Sequence, residues 1–332
     1  MKKLSIIIPC YNSEKYIKTL LDTIILEINN SDEVIIVNDG STDDSEKVIK
    51  KYTSIHKNIK YFSTKNNGVS HARNIGINKA KNDYILFADA DDFFIKDSIK
   101  RIKEQINKTD KDVYMFNTIK YIEKKDKYIM ETPIFKSDTV SPNELSKNKI
   151  FSRVWRFVCK RDFIISNNCY FIENHTYEDE EWVPKIISQV DNVEYISDAF
   201  YVYRKHDNSI TSKKDFTDIK GIINIINNVY TNESIKKNKS YVYNSLLRCV
   251  RTTFSYLKKA TPEETKYIMD WYKKNKSMIY KITNTKKIYT YLIKFFGPKN
   301  ATKLYKKFFA IKYDLIYEDI RLKKVKGGFT IQ

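Results

Sequence analysis

Cysteine is scarce: 4 in 332 residues, Cys10, Cys159, Cys169 and Cys249, with no CxxC spacing. That argues against a zinc ribbon or a disulfide framework and suits a reducing cytosol. No stretch reaches the roughly 20 apolar residues that a bilayer span requires. The opening Met1–Pro9 resembles the start of a secretion signal, but its apolar run is short and Cys10-Tyr11-Asn12 follows, so no leader is expected. No fixed-period repeat or low-complexity linker interrupts the chain. Acids are scarce in the last third. Residues 213–332 hold 27 Lys/Arg against 9 Asp/Glu, net +18, whereas residues 1–212 hold 33 against 32, net +1. This asymmetry suggests an anionic partner for the C-terminal part, a membrane surface or nucleic acid. The length allows one or two domains with a large core.

The stretch Tyr84-Ile-Leu-Phe-Ala-Asp-Ala-Asp-Asp92 organises what is present. A short apolar run bounded by polar residues reads as a buried strand, and acids at its carboxyl end lie where ligands bind in open α/β sheets. Asp89 and Asp91, two apart, face the same way on an extended chain. Three adjoining carboxylates call for a compensating cation, and hard oxygen donors suit Mg²⁺ or Mn²⁺. A solvated acidic loop is the plain alternative.

Strands are expected at Leu4–Pro9, Asp32–Val37, Ile59–Phe62, Tyr84–Ala88 and Asp112–Phe116. Helices are expected from about Ser13, near Asp44–Tyr52, through Ala72, Ile75 and Ala80, and near Lys96–Ile106. The alternation predicts a mostly parallel, doubly wound sheet with right-handed crossovers. Residues 117–136 suit a charged hairpin. Ser141-Pro142-Asn143-Glu144 is a capping box that starts a helix. A helix at Glu180–Gln189 and strands near Val193–Ile196 and Phe200–Arg204 follow, and beyond Thr211 the pattern is helical throughout.

Several strand ends carry chemistry-bearing residues. Tyr11 can stack on a base, although a plain strand–helix turn also explains Pro9–Glu14. Asp39 can accept an imide N–H, or can simply be the Asp of an Asp-Gly turn. Arg73 lies on the first turns of a helix after Asn66-Asn67-Gly68, a place that suits diphosphate, or else it is a surface arginine. Thr176–Trp182 masses four acids between aromatics, which should raise at least one carboxyl pKa, as a general base requires; the alternative is an acidic helix start. In Tyr203–Thr211, Arg204 and Ser209 suit phosphate oxygens and His206 suits a metal, against a plain surface loop.

In this order, Ser5–Asn12, Val37–Asp43, Asn66–Gly68 with Ala72–Asn74, Asp89–Asp92, Glu178–Trp182 and Tyr203–Thr211 give the chain its likeness. Over residues 1–212 it resembles an inverting family 2 glycosyltransferase of the GT-A fold, a Rossmann-like, mostly parallel sheet. The resemblance implies a nucleotide-binding half of about 1–116, an acceptor half of about 117–212, and a basic helical region, 213–332, outside it. It implies that Pro9, Tyr11 and Asp39 hold the nucleobase, with Asn66 nearby, and that Arg73 serves base or diphosphate. Asp89 would face ribose or sugar, and Asp91, with His206, would ligate Mn²⁺ or Mg²⁺. Asp179 would be the base with Glu178 beside it, and Arg204, His206 and Ser209 would close over the diphosphate. Cys10 and Trp182 depart from the commoner residues. Trp182 is expected at the acceptor pocket.

The expected reaction is sugar transfer from a nucleotide sugar, a UDP-sugar foremost, to a hydroxyl of a glycan or lipid-linked acceptor in surface-polysaccharide synthesis. Lys286–Lys307 interleaves aromatics with lysines, as suits an anionic membrane interface or a solvated helical subdomain. The enzyme is then expected in the cytoplasm, peripheral to the inner face of the membrane. A metal-dependent nucleotidyltransferase is a second enzyme reading. An RNA-binding protein is a third, disfavoured because no recognisable RNA-binding module accompanies the charge.

Overall fold

The computed structural model describes residues 1–133, 135, 137–147, 152–173, 176–206, 215–232, 235, 238–308, 315–325 and 328–331. The first half alternates β1 (Leu4–Cys10), α1 (Ile17–Ile25), β2 (Glu33–Asp39), α2 (Ser45–Ile55), β3 (Ile59–Thr64), α3 (Val69–Lys79), β4 (Tyr84–Phe87), β5 (Phe93–Phe94) and α4 (Ser98–Thr109). Then come β6 (Val113–Ile122), β7 (Lys127–Pro133), β8 (Thr139–Val140), α5 (Pro142–Lys147), β9 (Phe157–Lys160), α6 (Arg161–Ser166), α7 (Asp179–Gln189) and β10 (Val193–Lys205). The last third holds α8 (Phe216–Thr231), α9 (Lys239–Tyr256), α10 (Pro262–Lys274), α11 (Lys276–Thr283), α12 (Lys287–Phe308), β11 (Leu315–Ile320), β12 (Leu322–Val325) and β13 (Gly328–Ile331).

The sheet runs β11-β7-β6-β9-β4-β1-β2-β3. Its β4-β1-β2-β3 half is parallel. Every residue of β1, β2 and β4 is buried, as expected for strands covered on both faces. The other half is largely antiparallel: β9 inserts between β4 and β6, and β6 and β7 form the expected charged hairpin. α3 packs so closely on β1 that a Cβ on Gly76 would lie 2.2 Å from Ile7 Cγ2. Gly76→Ala is therefore expected to lower stability by about 1–3 kcal/mol, because a packed backbone–side-chain contact has to open. Chemical unfolding of the variant measures it, and an unchanged midpoint would contradict the packing.

Two expectations change. The strands foreseen at 193–196 and 200–204 are one strand, β10, parallel to β6 with irregularities between Ile196 and Tyr201. An extra residue in a ladder bends a strand without ending it. The chain beyond Thr211 is also not helical throughout. β11 returns to pair antiparallel with β7, closing that edge, and the backbone N–H of Lys96 donates to Phe329 in β13. A strand whose partner is so remote has little local signature, and the edge of β7 supplies its reason.

Helices α8–α12 enclose their own apolar cluster around Ile222, Ile226, Leu246, Val250, Phe254 and Ile279. Capping boxes start α8 (Asp215 with Asp218) and α10 (Thr261 with Glu264, Pro262 between). α12 breaks at Gly297, whose φ of 70° lies in the left-handed region.

Candidate active site

Beyond β4 the chain passes from buried Ala88 into the three acids, and each meets a different environment. Asp92 is fully buried. It accepts from the Tyr201 hydroxyl at 2.7 Å and from the Arg204 backbone N–H at 2.7 Å, locking β5 to β10. Burial pushes its carboxyl well above the usual range, and Asp91 and Asp89 add to this. Its place is structural. Asp91 remains partly exposed, with its Oδ2 2.9 Å from His206 Nε2. Asp89 accepts from Arg73 Nη2 at 2.8 Å, while its own N–H donates to the Tyr201 hydroxyl at 2.8 Å.

Arg204 supports this arrangement from beneath. Its Nε donates to the Asp91 carbonyl at 2.9 Å and its Nη1 to Glu123 at 3.0 Å. The guanidinium lies 5.0–5.5 Å from the rings of Tyr16, Phe93 and Tyr121. Tyr16 also packs on His206, ring centroids 4.8 Å apart. Arg204 thus fixes the Asp91 backbone and is engaged on several sides, whereas the sequence placed it over a diphosphate.

Arg73 is 2% exposed, not a surface arginine. Besides Asp89, it donates to Glu178 at 2.5 Å, and Asp179 Oδ1 lies 3.8 Å away. Its guanidinium sits 5.3 Å from the Phe171 ring. One cation thereby joins the end of β4 to the start of α7. Asp179 is the first residue of α7, and its Oδ1 is buried and accepts no hydrogen bond. Burial raises its carboxyl well above the usual range, and the Glu178 charge raises it further, against Arg73 and Arg153.

The remaining acids of α7 face elsewhere. Glu180 binds Arg248 of α9 at 2.9 Å, the Ser245 hydroxyl at 2.7 Å and the Ser152 hydroxyl at 3.0 Å. Burial opposes its charge, but Arg248 prevails and holds the carboxyl below the usual range. Burial pushes Glu181 up to about 7. Pro184 lacks the N–H that would bond the Glu180 carbonyl, and Ser245 Oγ lies 3.5 Å from that oxygen.

Trp182 corrects its expectation. It is fully buried, stacked on Phe171 at 4.9 Å, edge-on to Phe87, and its indole N–H donates to the Cys169 carbonyl. It packs into the core against Phe87 and Phe171 and lines no acceptor pocket, because position 182 points inward once α7 lies on the sheet.

At the neighbouring strand ends, Pro9 is buried in β1 opposite Val37, and Tyr11 is 47% exposed, open to a stacking partner. Asp39 accepts from the N–H groups of Asn67 at 2.9 Å and Gly68 at 2.8 Å, which fixes the turn into α3 beside exposed Asn66. A side chain on Gly40 (φ 73°) would meet the Asn66 nitrogen at 2.8 Å, so this turn requires glycine on two counts. Ser209 lies outside the described residues.

Asp91 and His206 fit a divalent ion. Two adjacent octahedral ligands at about 2.0–2.1 Å from Mg²⁺ lie roughly 3 Å apart, close to the 2.9 Å between their atoms. Among the described residues no group of three or more His, Cys, Asp or Glu forms a closed metal cage. One carboxylate oxygen and one imidazole nitrogen would leave a divalent ion's remaining positions to phosphate and water oxygens. Four residues of the site went unread in the sequence: Tyr201, Glu123, Tyr16 and Arg248. Tyr201 and Tyr16 had nearby signals, two residues before the Tyr203-Arg204 motif and two after the Pro9–Glu14 stretch.

Residues 5–164 match the sequence family described as "Glycosyl transferase family 2". The chain is 26% identical over 226 residues to the uncharacterized glycosyltransferase EpsJ of Bacillus subtilis, a match covering 62% of each chain. It is 26% identical over 207 residues to the poly(ribitol-phosphate) beta-N-acetylglucosaminyltransferase TarS of Staphylococcus aureus, covering 61% of this chain and 35% of TarS. The matches thus span less than two thirds of either relative. The crystal structure of TarS residues 1–349 with UDP-GlcNAc superposes with a TM-score of 0.74 at 20% identity, over 99% of this chain and 96% of that one. A mannosyltransferase from Pyrobaculum calidifontis with GDP-Man and Mn²⁺ gives 0.54 at 13% identity, over 93% and 88%.

Proposed function

Because the chain belongs to glycosyl transferase family 2 through residues 5–164, with the GT-A fold, we propose that it transfers a sugar from a UDP-sugar to an acceptor hydroxyl with inversion. The observation that carries this reading is the Arg73 bridge. It brings an acid at the nucleotide end of the sheet, Asp89, together with Asp179, which has a raised pKa and a carboxylate oxygen without a hydrogen-bond partner. A donor-side acid beside a poised base is what direct displacement at an anomeric carbon needs.

Tyr11 stacks on the base, with Asp39 and Asn66 beside it, and Asp89 faces the ribose or the sugar. Asp91 and His206 would hold Mn²⁺ or Mg²⁺, and the chemistry such an ion would supply is neutralisation of charge on the leaving nucleoside diphosphate. Arg204 holds the Asp91 backbone in place for that task. Asp179 takes the proton of the acceptor hydroxyl as its oxygen attacks the anomeric carbon from the face opposite the diphosphate. The bond to the diphosphate breaks, and the configuration inverts through an oxocarbenium-like transition state. TarS, whose name and complex specify N-acetylglucosamine and a polymer acceptor, supports UDP-GlcNAc as the first donor to try and a surface glycan or lipid-linked glycan as the acceptor class.

The test is a panel of nucleotide sugars incubated with Mn²⁺, reading release of nucleoside diphosphate and the anomeric configuration of the product by NMR. Release of UDP with inverted product is expected; no UDP from the panel, with pyrophosphate released instead from a nucleoside triphosphate supplied with a sugar 1-phosphate, would indicate a nucleotidyltransferase. Asp91→Asn is expected to weaken Mn²⁺-dependent UDP binding at least tenfold by calorimetry, since loss of metal-site groups typically costs about 10–100-fold. Equal binding with and without this carboxylate would remove Asp91 from the metal site.

A further inference from the structure

The first half of α12 presents an uncovered apolar arc. Ile288 is 48% exposed, Tyr291 57%, Phe295 78% and Phe296 54%, while Tyr289 and Ile293 on the adjoining arc are buried. At 100° per residue the four exposed positions fall on one side of the helix. The arc cannot rotate inward without losing the helical core. Tyr289 is fully buried and its hydroxyl meets Thr302 Oγ1 at 2.7 Å, while Thr302 donates to the Pro298 carbonyl across the Gly297 break. Lys286, Lys287, Lys294, Lys299 and Lys303 are all exposed around it. Residues 271–313 contain twelve lysines and no Asp or Glu.

A patch of this kind on a soluble fold marks a contact surface. A protein partner or a second copy of this chain would have to neutralise a lysine field while offering apolar area. This chain carries no acid within 271–313 with which a copy of that segment could do so. A bilayer containing anionic lipid supplies both at once: headgroup charge for the lysines and an acyl boundary for aromatic rings.

We propose that the face formed by Ile288, Tyr291, Phe295 and Phe296, ringed by lysines, seats the protein on an anionic lipid surface. This stands independently of the transfer reaction. Each lysine near such a surface strengthens attachment about fivefold, and screening over roughly 8 Å at physiological salt makes the attachment reversible.

The full chain is sedimented with vesicles of phosphatidylcholine alone, or mixed with phosphatidylglycerol, at low and high salt. It is expected on the mixed vesicles only, and to leave them at high salt. Tyr291→Ser/Phe295→Ser/Phe296→Ser is expected to weaken partitioning at least tenfold, and Lys286→Gln/Lys287→Gln/Lys294→Gln about a hundredfold. The circular dichroism spectrum and urea-unfolding midpoint of both variants should match the wild type, which shows them folded. Failure of the wild type to bind mixed vesicles overturns the proposal, as does undiminished binding by the serine variant. Self-association that the serine changes abolish, without vesicle binding, assigns the face to a second copy and also overturns it.

Discussion

Asp179→Asn is expected to leave UDP-sugar binding close to wild type while transfer falls about 10²–10⁴-fold, the usual cost of losing a general base. The amide cannot take a proton, yet it is close to isosteric, so the start of α7 should hold its place. The neighbours are poor substitutes. Glu178 is tied to Arg73, Glu180 to Arg248, and Glu181 is 2% exposed beside Lys185. Only Asp179 in this cluster combines a raised pKa with a first-turn position beside the Arg73 bridge. The pH profile has a definite sign. A base whose carboxyl is held above the usual range is protonated at low pH, so transfer should rise with pH as that proton leaves, and Asp179→Asn should lack this limb. Calorimetry with UDP and transfer rates across pH supply the comparison. Near-normal transfer by the variant would move the base elsewhere.

The second large effect is on stability. Arg73→Met is expected to cost about 3–5 kcal/mol, since removing one partner of a buried ionic group leaves the others uncompensated. Asp89, Glu178 and Asp179 would then face one another across the space that the guanidinium filled. Methionine roughly keeps the volume over Phe171, so the loss should be electrostatic rather than a cavity. Arg73→Met/Glu178→Gln should recover part of it by removing one of the opposed charges. Arg73→Lys should be intermediate, because one ammonium cannot reach Asp89 and Glu178 as the two arms of the fork do. Urea unfolding of the set measures these differences. A loss below about 1 kcal/mol for Arg73→Met would mean the acids are held apart by something else.

The sequence made the parallel half readable because buried strands leave apolar runs and their ends leave acids. Leu4–Cys10 and Tyr84–Phe87 fall almost where the runs do. The β6–β7 hairpin and the capping box at Ser141 were legible because their signals are local. Trp182 was misplaced because a large aromatic beside acids looks the same from the sequence whether it faces a ligand or a core. Only the docking of α7 against Phe87 and Phe171 decides. The parts played by Arg204 and Arg73 were blurred for a related reason: their partners lie 81–113 residues away for Arg204 and 16–105 for Arg73. The strand β11 was invisible because its only evident cause is the open side of β7.

That last pairing has a consequence during synthesis. β7 emerges from the ribosome about 180 residues before β11, a delay of roughly 10–40 s at bacterial-type elongation rates of about 5–20 residues per second. Throughout that interval the nascent sheet has a bare rim of unpaired amide and carbonyl groups along Lys127–Pro133. Crowded polysomes would bring such rims together, edge to edge. The protein's yield in a cell should therefore depend on how fast this stretch is translated and on chaperone supply, even when the finished molecule is stable.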